Sequence, residues 1–194
     1  MKHFCILYIL STFFALSLSA GNNFCFIENK NQWEQNVLYK ANIPAGALFL
    51  EKNCITYHLY DESVREALHA HKVDSTLLPL IMKEHTFKMK FVGCNQEPKL
   101  EALNKASEYY NYFLGNDKNK WASHANGYYE IIYNELYNGI NLKIYTHNNQ
   151  LKYEYIVSPN SKSSQINVEY AGANKISIRN NTLVIETSLG EIIE

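Results

Sequence analysis

Ile140–Val157, INLKIYTHNNQLKYEYIV, has two halves that match as an antiparallel pair. With Asn148-Asn149 at the turn, where Asn tolerates positive φ, Ile144 faces Tyr153, Leu142 faces Tyr155 and Ile140 faces Val157 on one side. On the other side Lys143 faces Glu154. Apolar residues meet apolar residues and opposite charges meet, which is the pattern of a half-buried hairpin.

The same test succeeds twice more. Lys175–Glu186 turns at Asn180-Asn181, so Ile178 meets Leu183, Ile176 meets Ile185 and Lys175 meets Glu186. Gly46–Leu59 turns at Lys52-Asn53, so Leu50 meets Ile55 and Leu48 meets Tyr57. Further strands are expected at Phe24–Glu28, Val37–Ala41, Thr86–Val92, Tyr109–Leu114, Tyr128–Tyr133 and Gln165–Tyr170. In Thr86–Phe91, Phe87, Met89 and Phe91 face one way, and Lys88 and Lys90 the other. Asp61–Ala70 has an N-cap at Asp61 or Ser63 and an apolar face of Val64, Ala67 and Leu68, the layout of a short helix. Asp74–Lys83 carries Pro79 and reads as a long loop. The expected class is all-β: an antiparallel β-sandwich or extended curled sheet built of hairpins, with one short helix or irregular loop near 61–83.

Hydrophobic residues make up 46% of the 194, enough for a core, and a net charge of −1 offers nothing to nucleic acid. Residues 1–20 have the layout of a secretory signal. Lys2 gives a positive start, Phe4–Leu18 is apolar and uncharged, and Ser17-Leu18-Ser19-Ala20 supplies small residues for cleavage. An uncleaved anchor is the alternative, disfavoured because the stretch is short for a bilayer span. Cleavage leaves residues 21–194 as a single module, secreted or on the outer cell surface, with no membrane span. It also leaves Cys25, Cys54 and Cys94, with no CxxC spacing for zinc. One disulfide plus a free thiol, and three buried thiols, both fit. Strand-like residues run to Glu194 with no polar tail. The module therefore reads as truncated at its C-terminal end, with downstream modules to follow. The alternative is a complete protein whose last strand closes the sheet.

Several blocks recur in the order of a known domain: Phe26-Ile27-Glu28-Asn29-Lys30-Asn31-Gln32-Trp33, Val37–Ala41, Gly46–Asn53, Tyr109–Asp117 and Lys120-Trp121-Ala122-Ser123, then Leu136–Leu142, Gln150–Val157 and Thr187-Ser188-Leu189-Gly190. In these the chain resembles the uncharacterised N-terminal β-rich domain of large secreted Bacteroidota proteins. The resemblance implies a domain set ahead of SBBP-type propeller repeats, PKD or other Ig-like modules, and a type IX secretion sorting domain. It implies no catalytic residue. The family usually has Gly where Asn31 and Cys54 stand, which places the positive-φ burden of the 52–53 turn on Asn53.

The chemistry-bearing residues divide into four groups. His69, His71 and His85 are the weak candidate metal ligands, of a spacing that matches no metal motif. Gly115-Asn116-Asp117-Lys118-Asn119 offers oxygens to Ca²⁺, opposed by Lys118 and Lys120, and otherwise reads as an Asx turn. Glu28, Glu108, Glu130, Glu135 and Glu154 are scattered acids, with Lys143 the expected partner of Glu154. Trp121, Tyr145, Tyr133 and Tyr129 are the candidates for stacking on a ligand, with Tyr109, Tyr112 and Trp33 beside them; the alternative is that they fill the core. No catalytic residue and no cofactor is expected. The leading reading is a non-catalytic structural, adhesive or interaction module with a protein or glycan partner. The alternatives are a carbohydrate-binding β-sandwich and a metal-dependent hydrolase.

Overall fold

The structure, a computed structural model, describes residues 24–44, 46–61 and 82–194. The signal segment, the expected helix beyond Asp61, most of the expected loop at Asp74–Lys83, His69 and His71 lie outside those residues.

In chain order the strands are β1 (Phe26–Glu28), β2 (Tyr39–Ile43), β3 (Gly46–Leu50), β4 (Cys54–Tyr60), β5 (Glu84–Phe91) and β6 (Lys99–Tyr112). They continue as β7 (Ala122–Tyr137), β8 (Ile140–His147), β9 (Gln150–Val157), β10 (Val168–Ala171), β11 (Lys175–Arg179), β12 (Thr182–Thr187) and β13 (Gly190–Ile193). The only helical pieces among the described residues are 3-10 turns at Lys118–Lys120 and Ser163–Gln165.

The extended curled sheet is the form the chain takes. One large antiparallel sheet runs β10-β5-β4-β3-β2-β1-β7-β8-β9, with β6 added to β7. β11, β12 and β13 make a second, small sheet. β7 is the spine. Tyr128 pairs with both Phe26 of β1 and Lys105 of β6, and Ile131 pairs with both Ala102 of β6 and Ile144 of β8. A strand has two edges. β6 takes one, so β1 and β8 share the other, and two arms of sheet leave it at different levels. Their apolar faces meet in one core that joins Leu48, Ile55, Tyr57, Phe87 and Met89 to Leu142, Ile144, Tyr153 and Tyr155.

The three hairpins form in the expected registers, with Ile144 opposite Tyr153, Ile176 opposite Ile185 and Leu48 opposite Tyr57. Asn148 and Asn149 (φ 51° and 57°) and Asn180 and Asn181 (φ 52° and 60°) take the left-handed geometry of primed turns. Asn53 does not. The β3–β4 turn closes through the Glu51 N–H on the Cys54 carbonyl at 3.0 Å, while the Asn53 carbonyl accepts from Phe91 N–H at 2.9 Å. Support from β5 holds this turn without a positive φ.

Lys143 also differs from expectation. Its backbone pairs with Glu154, but its ammonium lies 3.1 Å from Glu130 on β7, and Glu154 instead accepts from the Tyr145 hydroxyl at 2.6 Å. The central position of β8 gives Lys143 a carboxylate on either side, and β7 supplies the one it takes. Strand ends shift as well. Val37 donates to Glu34 O at 3.0 Å and stays in a loop, so β2 begins at Tyr39. Gln165 ends a 3-10 turn, so β10 begins at Val168.

The small sheet packs against the core through Ile185, which is fully buried, and through Leu183, Leu189 and Ile192. Its last residue ties the two arms together. One oxygen of the Glu194 carboxyl accepts from Tyr153 of β9 at 3.0 Å and from Tyr170 of β10 at 2.8 Å. β9 and β10 are opposite ends of the large sheet, so this one carboxyl spans the opening of the curl.

Candidate functional site: an aromatic tip and an amide-lined cleft

The candidate site lies where the β6–β7 hairpin ends, beside the loop between β1 and β2. That loop is organised by one side chain. The Asn29 amide donates to Val37 O (2.7 Å) and Glu34 O (2.9 Å), and its oxygen accepts from Asn31 N (2.9 Å) and Trp33 N (3.3 Å). With a further donation to Trp33 O at 3.3 Å, five side-chain bonds from one residue fix a loop with no regular structure of its own. Gln32 adds a bond to Glu28 O at 2.8 Å. Glu28 anchors β1 to the spine by accepting from both the backbone and side-chain N–H of Asn126, at 2.9 and 2.8 Å.

Trp33 is positioned in turn. Tyr112 of β6 meets its ring in a T-shape at 5.2 Å, and the Lys40 ammonium sits 5.6 Å from its centroid and equally far from Phe49. Burial between these rings lowers the Lys40 pKa.

Asp117 opens the facing loop as an Asx turn, its carboxylate accepting from Asn119 N at 3.0 Å. The two loops are joined by the Asn31 amide donating to Asn119 O at 2.6 Å, and by Lys120 beside Glu34 at 3.7 Å. Between them lies an open cleft of about 390 Å³, walled by Trp33 and rimmed by Asn31, Gln35, Asp117, Asn119 and Lys120.

Next to the cleft, the same β6–β7 loop exposes an apolar tip. Phe113 is 57% and Leu114 79% exposed, and Phe113 meets the exposed Trp121 in a T-shape at 5.8 Å. The Trp121 indole N–H donates to Gly115 O at 3.2 Å, which fixes the ring across the loop. Further down the hairpin the exposed Tyr109 stacks on His124 at 4.3 Å.

The candidate stacking residues are thus separated. Trp121 is at the tip. Tyr133 is fully buried, with its hydroxyl bonded to Glu51 O, so it belongs to the core and presents no face to a ligand. Tyr145 has the Lys143 ammonium 4.9 Å from its ring, and burial and the Glu154 bond push its phenol up to about 12. Tyr129 packs with Cys25, Ile27 and Ala125 in a satellite cluster that also takes in Trp33, Tyr110 and Tyr112.

His85, the one described member of the metal candidates, is engaged elsewhere. Its Nδ1 lies 3.1 Å from the Ser188 hydroxyl and accepts from Ser188 N–H at 3.2 Å, which clamps β5 to the β12–β13 turn. No group of three or more His, Cys, Asp or Glu side chains among the described residues is placed to hold a metal. Cys25, Cys54 and Cys94 are three buried thiols rather than a disulfide and a free thiol. Burial, with the Glu51 charge nearby, pushes Cys54 up to about 11, and a thiol that resists ionisation is a poor nucleophile.

Gln35 and the tip residues Phe113 and Leu114 were not singled out from sequence as site residues; Asn119 was read only as an oxygen donor for Ca²⁺ or part of an Asx turn, and Asn31 only as a departure from the family's usual Gly. The available signal was the density of Asn and Gln around Trp33 and Trp121. Among the described residues no helix is long and apolar enough to cross a membrane. Residues 26–194 match the model of a family described as Domain of unknown function (DUF7948). No curated protein and no solved structure matches the chain.

Proposed function

We propose, on the premise that the chain belongs to the DUF7948 family, that it is a non-catalytic interaction module of an exported, multidomain bacterial surface protein. The observation that carries this reading is the exposed tip of Phe113, Leu114 and Trp121. Large apolar side chains clustered at the end of a rigid hairpin cost solubility and contribute nothing to this chain's own core, which is the mark of a contact surface. Several acids and thiols that could do chemistry are engaged structurally instead: Glu28 holds β1 to β7, Glu51 holds a turn, and Cys25, Cys54 and Cys94 are buried. Export rests on the secretory layout of residues 1–20, and the multidomain surface setting on the family resemblance.

The partner of the tip is a protein surface or a neighbouring module of the same polypeptide. The test places a photo-crosslinking residue at Phe113 in the full chain, expressed with its signal in a Bacteroidota host. The expected result is a discrete crosslinked protein at the cell surface, lost when Trp121 and Leu114 are both changed to Ser. A fully processed, folded protein that crosslinks to nothing, or crosslinks equally from Lys175 on the small sheet, would sink the reading.

A further inference from the structure

We infer that the cleft between the 29–37 loop and the 115–121 loop is a binding site for a neutral oligosaccharide. This rests on the reading of the chain as an interaction module and gives it a second ligand, distinct from whatever covers the tip.

The chemistry of the walls makes the case. The side-chain amides of Gln35 and Asn119 make no hydrogen bond among the described residues, although the backbone of Asn119 is fully tied. An amide offers two donors and one acceptor oxygen, which matches sugar hydroxyls that both donate and accept. Asp117 uses one carboxylate oxygen in its Asx turn and keeps the other free. Trp33 presents an indole surface for the C–H face of a sugar ring, and its orientation is already fixed by Tyr112 and Lys40. At about 390 Å³ the cleft falls within the range of roughly 300–1,000 Å³ used for small ligands.

Charge selects among ligands. Glu34 and Asp117 outnumber Lys120 on the rim, and Lys120 is already beside Glu34 at 3.7 Å. Lys120 is the one cation among the residues lining the cleft, against two carboxylates, so the balance of the rim favours a neutral sugar over a sulfated or uronic one.

The loops are also held in place in advance. Asn29 braces one, Asp117 the other, and the Asn31–Asn119 bond joins them, so ordering costs are small when a ligand arrives. Asn31 sits at φ 83°, a left-handed conformation that Asn adopts more readily than other residues with a side chain. Its amide is what bridges the loops, so this backbone turn places a group on the cleft rim.

The chain has two tryptophans, Trp33 and Trp121. In a Trp121→Phe variant of the full chain, fluorescence therefore reports the cleft alone. That protein is titrated with mannohexaose, cellohexaose, xylohexaose and chitohexaose, and with a heparin hexasaccharide as the anionic comparison. The expected result is a saturable change with at least one neutral probe and none with heparin. Gln35→Ala and Asn119→Ala should each weaken binding by about tenfold with an unchanged melting temperature. No saturable change with any neutral probe, tighter binding of heparin, or undiminished affinity in the Gln35→Ala/Asn119→Ala double variant would overturn the proposal. None of these outcomes touches the crosslinking from Phe113, so failure of the cleft and failure of the tip are told apart.

Discussion

The hydroxyl of Tyr133, at the centre of β7, donates to the backbone carbonyl of Glu51 at 2.9 Å. Both groups are buried, and the bond fastens the spine to the turn between β3 and β4. Tyr133→Phe removes the donor and leaves a buried carbonyl without it. The expected cost is about 1–2 kcal/mol in urea unfolding with no change in m-value. A variant as stable as the parent would show that water replaces the bond.

The side chain of Glu51 makes a second, pH-dependent prediction. Burial pushes its carboxyl up, but hydrogen bonds from Thr56 (2.6 Å), Asn36 (2.6 Å) and Lys88 (3.1 Å) outweigh this and hold it below its ordinary value. A depressed folded value means the stabilisation is present above the unfolded pKa and is lost as pH falls through the folded one. Glu51→Gln should therefore cost about 1.5–3 kcal/mol at neutral pH, and less as the pH is lowered through the carboxyl range. Equal costs at pH values above and below that range would contradict the assignment.

Glu194 carries the opposite sign. Burial raises its carboxyl, and the bonds from Tyr170 and Tyr153 only partly offset that. One of its oxygens is buried and has no partner among the described residues. A raised folded value means stability is greatest below the unfolded pKa and declines as pH rises through the folded one. Glu194→Gln removes that titration. Thermal unfolding of wild type should weaken relative to the variant as pH climbs from the acid side, and parallel profiles would refute this.

Gly127 tests the satellite cluster. It pairs with Ile27, and a Cβ there would lie 2.5 Å from Cys25 Sγ. Gly127→Ala is expected to destabilise by about 1–3 kcal/mol through overpacking. Cys25→Ala, by opening that space, should recover most of the loss in the double variant. Additive losses in a double-mutant cycle would place the clash elsewhere.

The hairpins were legible because two constraints had to agree at once. Apolar pairing on one face and the two-Asn turns at 148–149 and 180–181 each fixed the same register. The first half of β6 gave no such signal. Leu100, Ala102 and Leu103 are half-buried while Asn104, Lys105 and Ser107 are exposed, so no clean period of two appears along an edge strand. The partner of Lys143 was not readable either, because a hairpin taken alone omits the strand on its other side. The cleft was least legible of all. Asn31 and Asn119 are 88 positions apart, and only the pairing of β1 with β7 brings their loops together.

The pairing of β1 with β7 also sets a timetable. Glu28 bonds to Asn126 across 98 positions, and β10 returns to β5 across a similar gap, with Lys90 and Glu169 separated by 79. A chain emerging N-terminus first cannot join β1 to the spine until β7 has appeared, complete the large sheet until β10 has, nor seal its opening until Glu194 arrives. Contacts of such long range make for slow folding. Until those last residues arrive, the apolar faces that meet in the core, from Leu48 and Tyr57 on one arm to Leu142 and Tyr155 on the other, stand uncovered.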